Sequence, residues 1–110
     1  MKRVLYLAAA LVLGLAVAAC AGETLKVSIS DKMCGADHKG QDPVSCTLSC
    51  VKHGSPYVFV VSKDKVLDIQ NQKDAKINAE LTKYAGKGVT VTGTMSKDGK
   101  TVTIETIKGQ

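Results

Sequence analysis

Short stretches in which apolar residues alternate with polar ones recur along this chain, a pattern typical of half-buried β-strands. Five stretches with strand character are recognisable. Apolar and polar residues alternate at about 24–30, 89–95 and 102–107, whereas 57–61 is a continuous run of β-branched and aromatic residues that 66–69 follows after a turn. The turn before the last one contains Asp98-Gly99, which supplies the positive φ angles that hairpin turns need. Ile107 is out of phase with the alternation before it. The pattern therefore predicts either a β-bulge near Glu105 or an end to strand pairing at Ile107.

The segment between the third and fourth stretches has a different periodicity. Ile77, Leu81 and Tyr84 stand at positions i, i+4 and i+7, which indicates a short helix, and Gly86 and Gly88 are expected to end it.

The first and second stretches are separated by a long insertion, residues 31–55. Its second half has the signals of a helix, with Asp42 as N-cap, Pro43 in the first turn and Gly54 as C-cap. The insertion also contains most of the cysteine and histidine of the chain, so it is the segment where function is expected.

The order of these elements predicts a mainly β fold. We expect a five-stranded OB-like barrel with a short helix between strands three and four and a helical insertion between strands one and two. Val27, Val91 and Ile104 are expected inside it. An open α+β sheet is the alternative arrangement.

The N-terminal residues 1–20 are predicted to be a secretory signal peptide. Lys2 and Arg3 precede an uncharged apolar run that ends in small residues, and the run is short for a membrane span. Val17-Ala18-Ala19-Cys20 is similar to a lipoprotein processing site, with cleavage before Cys20 and a lipid on its sulfur. Cleavage after Ala21, which would release a lipid-free protein, is the other possibility.

Residues 21–110 are expected to form a single small domain located in the periplasm or anchored by lipid at the cell envelope. Without Lys2 and Arg3 this part holds 13 lysines and 10 acidic residues, a net charge of +3, and it contains no arginine. Few aromatic side chains are available to stack on bases. The composition therefore argues against a nucleic-acid partner, and it indicates no particular protein partner.

The insertion carries a group of residues that can bind a soft metal: Cys34, His38, Cys46, Cys50 and His53. Three thiolates and one imidazole form a closed tetrahedral set for Zn²⁺, with either histidine as the fourth ligand. The same soft donors, together with the thioether of Met33, would also suit Cu(I).

On the predicted helix, Cys46, Cys50 and His53 share one stripe, and Val44, Leu48 and Val51 share the opposite stripe. We expect the apolar stripe to pack on the barrel. The thiol stripe would then face the preceding loop.

A disulfide is the competing interpretation of the same cysteines. Cys46 and Cys50 cannot bridge easily on an intact helix, so Cys34 would pair with one of them and leave the other free. Other thiol chemistry at the unpaired cysteine is a third possibility.

Three segments carry a resemblance to known sequences: Ile29–His38, the spacing Cys46-x3-Cys50 with Gly54 after it, and Tyr84–Gly93. They resemble an uncharacterised family of small exported bacterial OB-fold-like proteins with a Cys/His-bearing insertion. The resemblance implies an exported OB-like domain and implies no activity. The sequence as a whole favours a non-enzymatic binding or envelope-associated module with a soft metal as candidate ligand. A thiol-redox protein and a disulfide-stabilised structural lipoprotein are the alternatives.

Overall fold

A computed structural model describes residues 22–110, which form five strands and two helices. In chain order these are β1 (Glu23–Asp31), α1 (Pro43–Lys52), β2 (Tyr57–Ser62), β3 (Lys65–Ile69), α2 (Ala75–Lys83), β4 (Gly88–Met95) and β5 (Thr101–Gly109). The prediction of a mainly β domain with five strands is confirmed. The predicted signal peptide and the lipidation site at Cys20 lie outside the described residues.

The five strands belong to one sheet of mixed pairing. They are hydrogen-bonded in the closed order β1-β2-β3-β5-β4, so that β4 returns to β1. Every pairing is antiparallel except β3 with β5, which is parallel and limited to the pairs Asp68–Thr101 and Ile69–Val102. Closure leaves neither side of the sheet as a long unpaired edge, which protects it from pairing with other chains.

The bulge expected near Glu105 is present. Thr92 of β4 lies opposite Thr106, whereas Gly93 lies opposite Ile104, so Glu105 is the extra residue on β5. The extra residue returns Ile107 to pairing with β4, which explains why its phase differs from that of the preceding residues.

One apolar core lies inside the sheet. Val27 and Ile104 are 4% exposed and Val91 is fully buried, which confirms the predicted core positions. Leu81 and Ala85 bring α2 into the same core. The strands supply the other fully buried apolar side chains: Ile29, Tyr57, Val58, Phe59, Leu67, Val89 and Val102.

α1 begins where the sequence predicts and ends slightly earlier, and α2 ends at Lys83, before the predicted stop at Gly86. Asp42 caps α1 by accepting the backbone N–H of Ser45, and Pro43 follows in the first turn. The C-cap of α1 is His53, and Gly54 is the following residue, with φ of +104°. Glycine serves at this position because its backbone reverses direction there without a Cβ penalty.

The face that α1 presents to the sheet agrees with the predicted one at Val51 and differs from it at Leu48. Leu48 is exposed, whereas Cys46 and Thr47 are buried and Val51 is half-buried against the core. A free cysteine behaves as a small apolar side chain, so the thiol stripe competes with the aliphatic stripe for burial. Cys46 and Val51 consequently point inward and Leu48 stays at the surface, while the thiols face Cys34 of the preceding loop as predicted.

Within residues 22–110, neither helix has the length and apolar character needed to cross a membrane.

Candidate metal centre

The candidate site begins at the last residue of β1. Asp31 is fully buried, and its Oδ2 accepts the backbone N–H groups of Met33 at 3.0 Å and Cys34 at 3.1 Å. The hydroxyl of Ser55 also donates to Oδ2, at 3.4 Å. These bonds fold the chain into a tight turn just after the strand. The turn directs Cys34 back towards α1.

The second part of the site is the inner face of α1. Cys46 and Cys50 are separated by one helical turn, so their thiols lie on the same side of the helix. The N-terminus of α1 lies against Gly86, where an added Cβ would be 2.5 Å from the backbone nitrogen of Val44. Gly86 itself donates its N–H to the carbonyl of Ile29 in β1 at 2.9 Å. This close approach places the helix beside the end of β1.

The turn and the helix bring four potential ligands together. The Cys34 sulfur lies 3.1 Å from the Cys46 sulfur and 3.7 Å from the Cys50 sulfur. Asp31, Cys34, Cys46 and Cys50 each place one potential ligand atom within 4.8 Å of those of the other three. We call these four residues the Cys3Asp cluster. They lie close enough to hold a metal ion.

The spacing of the cluster agrees with a tetrahedral zinc site. With zinc–sulfur bonds of about 2.3 Å, two sulfurs on one tetrahedral ion are about 3.8 Å apart. The Cys34–Cys50 separation of 3.7 Å already meets this value. The Cys34 and Cys46 sulfurs, now 3.1 Å apart, would have to separate by less than about 1 Å to reach it.

One carboxylate oxygen of Asp31 is left without a role in holding the turn. Oδ1 is buried and has no hydrogen-bond partner among the described residues, whereas Oδ2 accepts several bonds. A buried acceptor without a partner is costly and calls for an explanation. A cation bound between the carboxylate and the thiols would supply the missing partner.

The electrostatics of the cluster favour protonated thiols at Cys46 and Cys50 in the absence of a cation. Burial raises the pKa of Cys50 to about 12, with further contributions from the neighbouring Cys34 thiol and the negative charge of Asp31. The pKa of Cys46 is also raised, first by its hydrogen bond with Cys34 and then by burial. A metal ion reverses this preference because its positive charge favours thiolate. Binding must therefore release protons.

The structure does not bring the two histidines into the cluster. His38 Nε2 lies 3.5 Å from the hydroxyl of Ser30, and its Nδ1 is buried without a partner among the described residues. His38 borders the same surface cavity as Cys34 and Cys46. His53 is exposed, because α1 ends at Lys52 and the chain leaves the helical path that would have kept the imidazole on the thiol stripe.

A disulfide is absent from the described residues. Cys34, Cys46 and Cys50 are all free, and even the shortest sulfur–sulfur distance, 3.1 Å, exceeds the bond length of about 2.05 Å. The predicted approach of Cys34 to the helix is nevertheless observed.

Asp31 is the member of the cluster that sequence reasoning missed. The available signal was its position three residues before Cys34, directly after an alternating strand. The predicted ligand set contained only cysteines and histidines, although aspartate is also a regular zinc ligand.

Comparisons with known proteins return no match to this chain, whether among protein-family models, curated proteins or solved structures. The resemblance to a family of exported OB-fold-like proteins therefore remains a prediction.

Proposed function

We propose that this protein is a small exported module that binds one Zn²⁺ ion through Asp31, Cys34, Cys46 and Cys50. The observation that carries the proposal is the convergence of three thiols and a buried, half-unpartnered carboxylate within 4.8 Å. Four protein ligands form a closed site, which is typical of a structural or storage role and leaves no open position for a substrate.

The donor set favours Zn²⁺ over Cu(I). Cu(I) is a soft ion that prefers thiolate and thioether ligands, whereas a carboxylate oxygen is a hard ligand. Zn²⁺ accepts sulfur and oxygen together. Met33, the thioether considered for copper, is 76% exposed and does not belong to the cluster.

The raised pKa values of Cys46 and Cys50 disfavour these two residues as the attacking thiol of a thiol-redox enzyme. Thiol–disulfide oxidoreductases attack their substrates with a cysteine whose pKa is lowered. Cys46 and Cys50 have the opposite shift. A closed metal site is consistent with this chemistry, because such cysteines ionise when a cation arrives.

The strand order supports an OB-like barrel as the fold of the module. Five strands in closed order, with α2 between β3 and β4, match the arrangement expected of such a barrel. The metal centre then occupies the connection between strands one and two, a segment that contributes to ligand binding in OB-folds. The proposal also includes export and a lipid anchor at Cys20, which are predicted from the sequence alone.

Cobalt substitution tests the proposed site. The full-length chain with Cys20→Ser, purified under reducing conditions and stripped of metal, should bind one Co²⁺ and develop thiolate-to-cobalt charge-transfer bands. Added Zn²⁺ should bleach these bands by displacement. Cys46→Ser added to this protein should weaken binding strongly. The parent with Cys20→Ser alone is the matched control, because it has lost a cysteine outside the cluster. Absence of the charge-transfer bands at a stoichiometric excess of Co²⁺ would contradict the proposal.

A further inference from the structure

We propose that Cys34 and Cys46 form a redox-sensitive pair, which a small disulfide converts into an intramolecular disulfide that expels the bound metal. This inference rests on the proposed function, because it assigns a release mechanism to the same site. The metal-bound and the disulfide-bonded arrangements of these cysteines would be two states of one cluster.

The first observation is the distance between the two sulfurs. They are 3.1 Å apart, and movement by about 1 Å brings them to bonding distance. The Cys34–Cys50 separation is longer, at 3.7 Å. Cys46 and Cys50 lie one turn apart on the same helix, which is an unfavourable geometry for a bridge between them.

The second observation is the difference in accessibility between the thiols. Cys34 is half-buried and borders two surface cavities, one of about 300 Å³ and one of about 560 Å³. Cys46 borders only the first of these cavities and is 6% exposed, and Cys50 is half-buried but borders neither. Cys34 is also the one cysteine of the cluster on a loop and not on the helix. An incoming disulfide therefore meets Cys34 first.

The chemistry proceeds by two thiol–disulfide exchanges. The Cys34 thiolate, which is deprotonated when it ligates a metal, attacks one sulfur of glutathione disulfide and releases one glutathione. The Cys46 thiolate then attacks the Cys34 sulfur of the mixed disulfide and releases the second glutathione. Two cysteine thiolates are oxidised to one disulfide, and one external disulfide is reduced to two glutathione thiolates, which take up protons from solvent.

The metal leaves because the remaining ligands are too few. Asp31 and Cys50 would be its only partners from the cluster, and two ligands do not hold Zn²⁺ in a closed tetrahedral site. Reduction of the disulfide would restore the four-ligand cluster.

Glutathione disulfide added to zinc-loaded, full-length protein carrying Cys20→Ser tests the inference. Zinc release is followed with a chromophoric chelator, free thiols are counted under denaturing conditions, and the disulfide is located by peptide mass mapping. We expect one zinc released for every two thiols lost, with Cys34 linked to Cys46. In Cys46→Ser, the expected product is a stable mixed disulfide of glutathione with Cys34.

Other outcomes would overturn the inference. Retention of zinc with three free thiols would show that the pair does not react, and a Cys46–Cys50 or intermolecular bridge would show that the pairing is wrong. The same oxidation on metal-free protein separates this inference from the proposed function. If the chain never binds zinc, the proposed function fails and release with it, but a Cys34–Cys46 bridge in that sample would still establish the reactive pair.

Discussion

At the scale of single residues, Asp31 has two different tasks in the same carboxylate. Oδ2 holds the turn that presents Cys34, and the buried Oδ1 has no partner among the described residues. A substitution that keeps the shape of the side chain but removes its charge can separate these tasks. Asparagine retains one oxygen for the turn and makes a poorer cation ligand.

Asp31→Asn should therefore weaken zinc binding by roughly 10–100-fold or more, because loss of a ligand charge should cost at least as much as loss of an outer partner. Asp37→Asn is the matched control, since Asp37 lies in the same loop but outside the cluster. Competition against a chelator of known affinity measures both variants. Equal affinities for the two would remove Asp31 from the ligand set.

The histidines provide a second residue-scale test. His38→Ala and His53→Ala should each leave zinc affinity within a few-fold of the parent, because neither imidazole belongs to the cluster. The same chelator competition applies. A loss of affinity in His38→Ala comparable to that in Cys46→Ser would instead make His38 the fourth ligand.

The pKa of Cys50 leads to a pH dependence of the metal-free protein. Its folded-state pKa of about 12 exceeds the ordinary value of 9.0, so the folded state retains its proton more firmly than the unfolded state. This contribution to stability is complete below about pH 9 and is lost as pH rises towards 12.

Denaturant unfolding of the metal-free, reduced protein at several pH values between 8 and about 11 should show this loss. Cys50→Ser should make the decline shallower, because it removes the group that titrates. An unchanged slope in that variant would show that another group causes the decline.

At the scale of elements, the site depends on how closely α1 approaches β1. Gly86 permits this approach, because its φ is +76° and any side chain there would meet the backbone of Pro43 and Val44. The glycine is thus a structural requirement of the cluster although it lies far from it in sequence.

Gly86→Ala should destabilise the protein by more than the roughly 1–2 kcal/mol that a left-handed backbone costs an alanine, and it should weaken zinc binding as well. Gly99→Ala is the matched control. Gly99 has a similar φ of +71° with nothing within 4 Å of the added Cβ, so it should show the backbone cost alone and normal zinc binding. Chemical unfolding and chelator competition on both variants decide between these outcomes.

At the scale of the whole molecule, the sheet provides the rigid support on which the cluster is built. The core side chains of the strands surround a single interior, and Asp31 lies at the end of one strand of that sheet. Metal binding should consequently stabilise the entire domain, since the folded state binds the ion and the unfolded chain binds it less well.

The cellular location of the molecule is tested by the mass of its mature form. Protein recovered from bacterial membranes should begin at Cys20 and carry a lipid on that residue. Intact-mass measurement checks this, with Cys20→Ala as the variant that should leave the membrane fraction. A lipid-free N-terminus at Gly22 would identify a soluble exported protein.

The local features of the fold were predictable because they depend on neighbouring residues. Alternation and one β-branched, aromatic run identified the strands, Asp42 and Pro43 identified the start of α1, and the phase of Ile107 identified the bulge at Glu105. Each of these signals is contained within a few residues, where backbone geometry and side-chain direction are fixed by the element itself.

The composition of the site was decided by tertiary structure. The sequence determined that the cysteines gather in one insertion and that Cys46 and Cys50 share a helix face. It did not determine the rotation of α1 on the sheet, which buries Cys46 and exposes Leu48, or the placement of Asp31 beside Cys50. Those features arise from packing between segments that are distant along the chain. A periodic pattern indicates which residues share a face, but it does not indicate which part of the protein that face contacts.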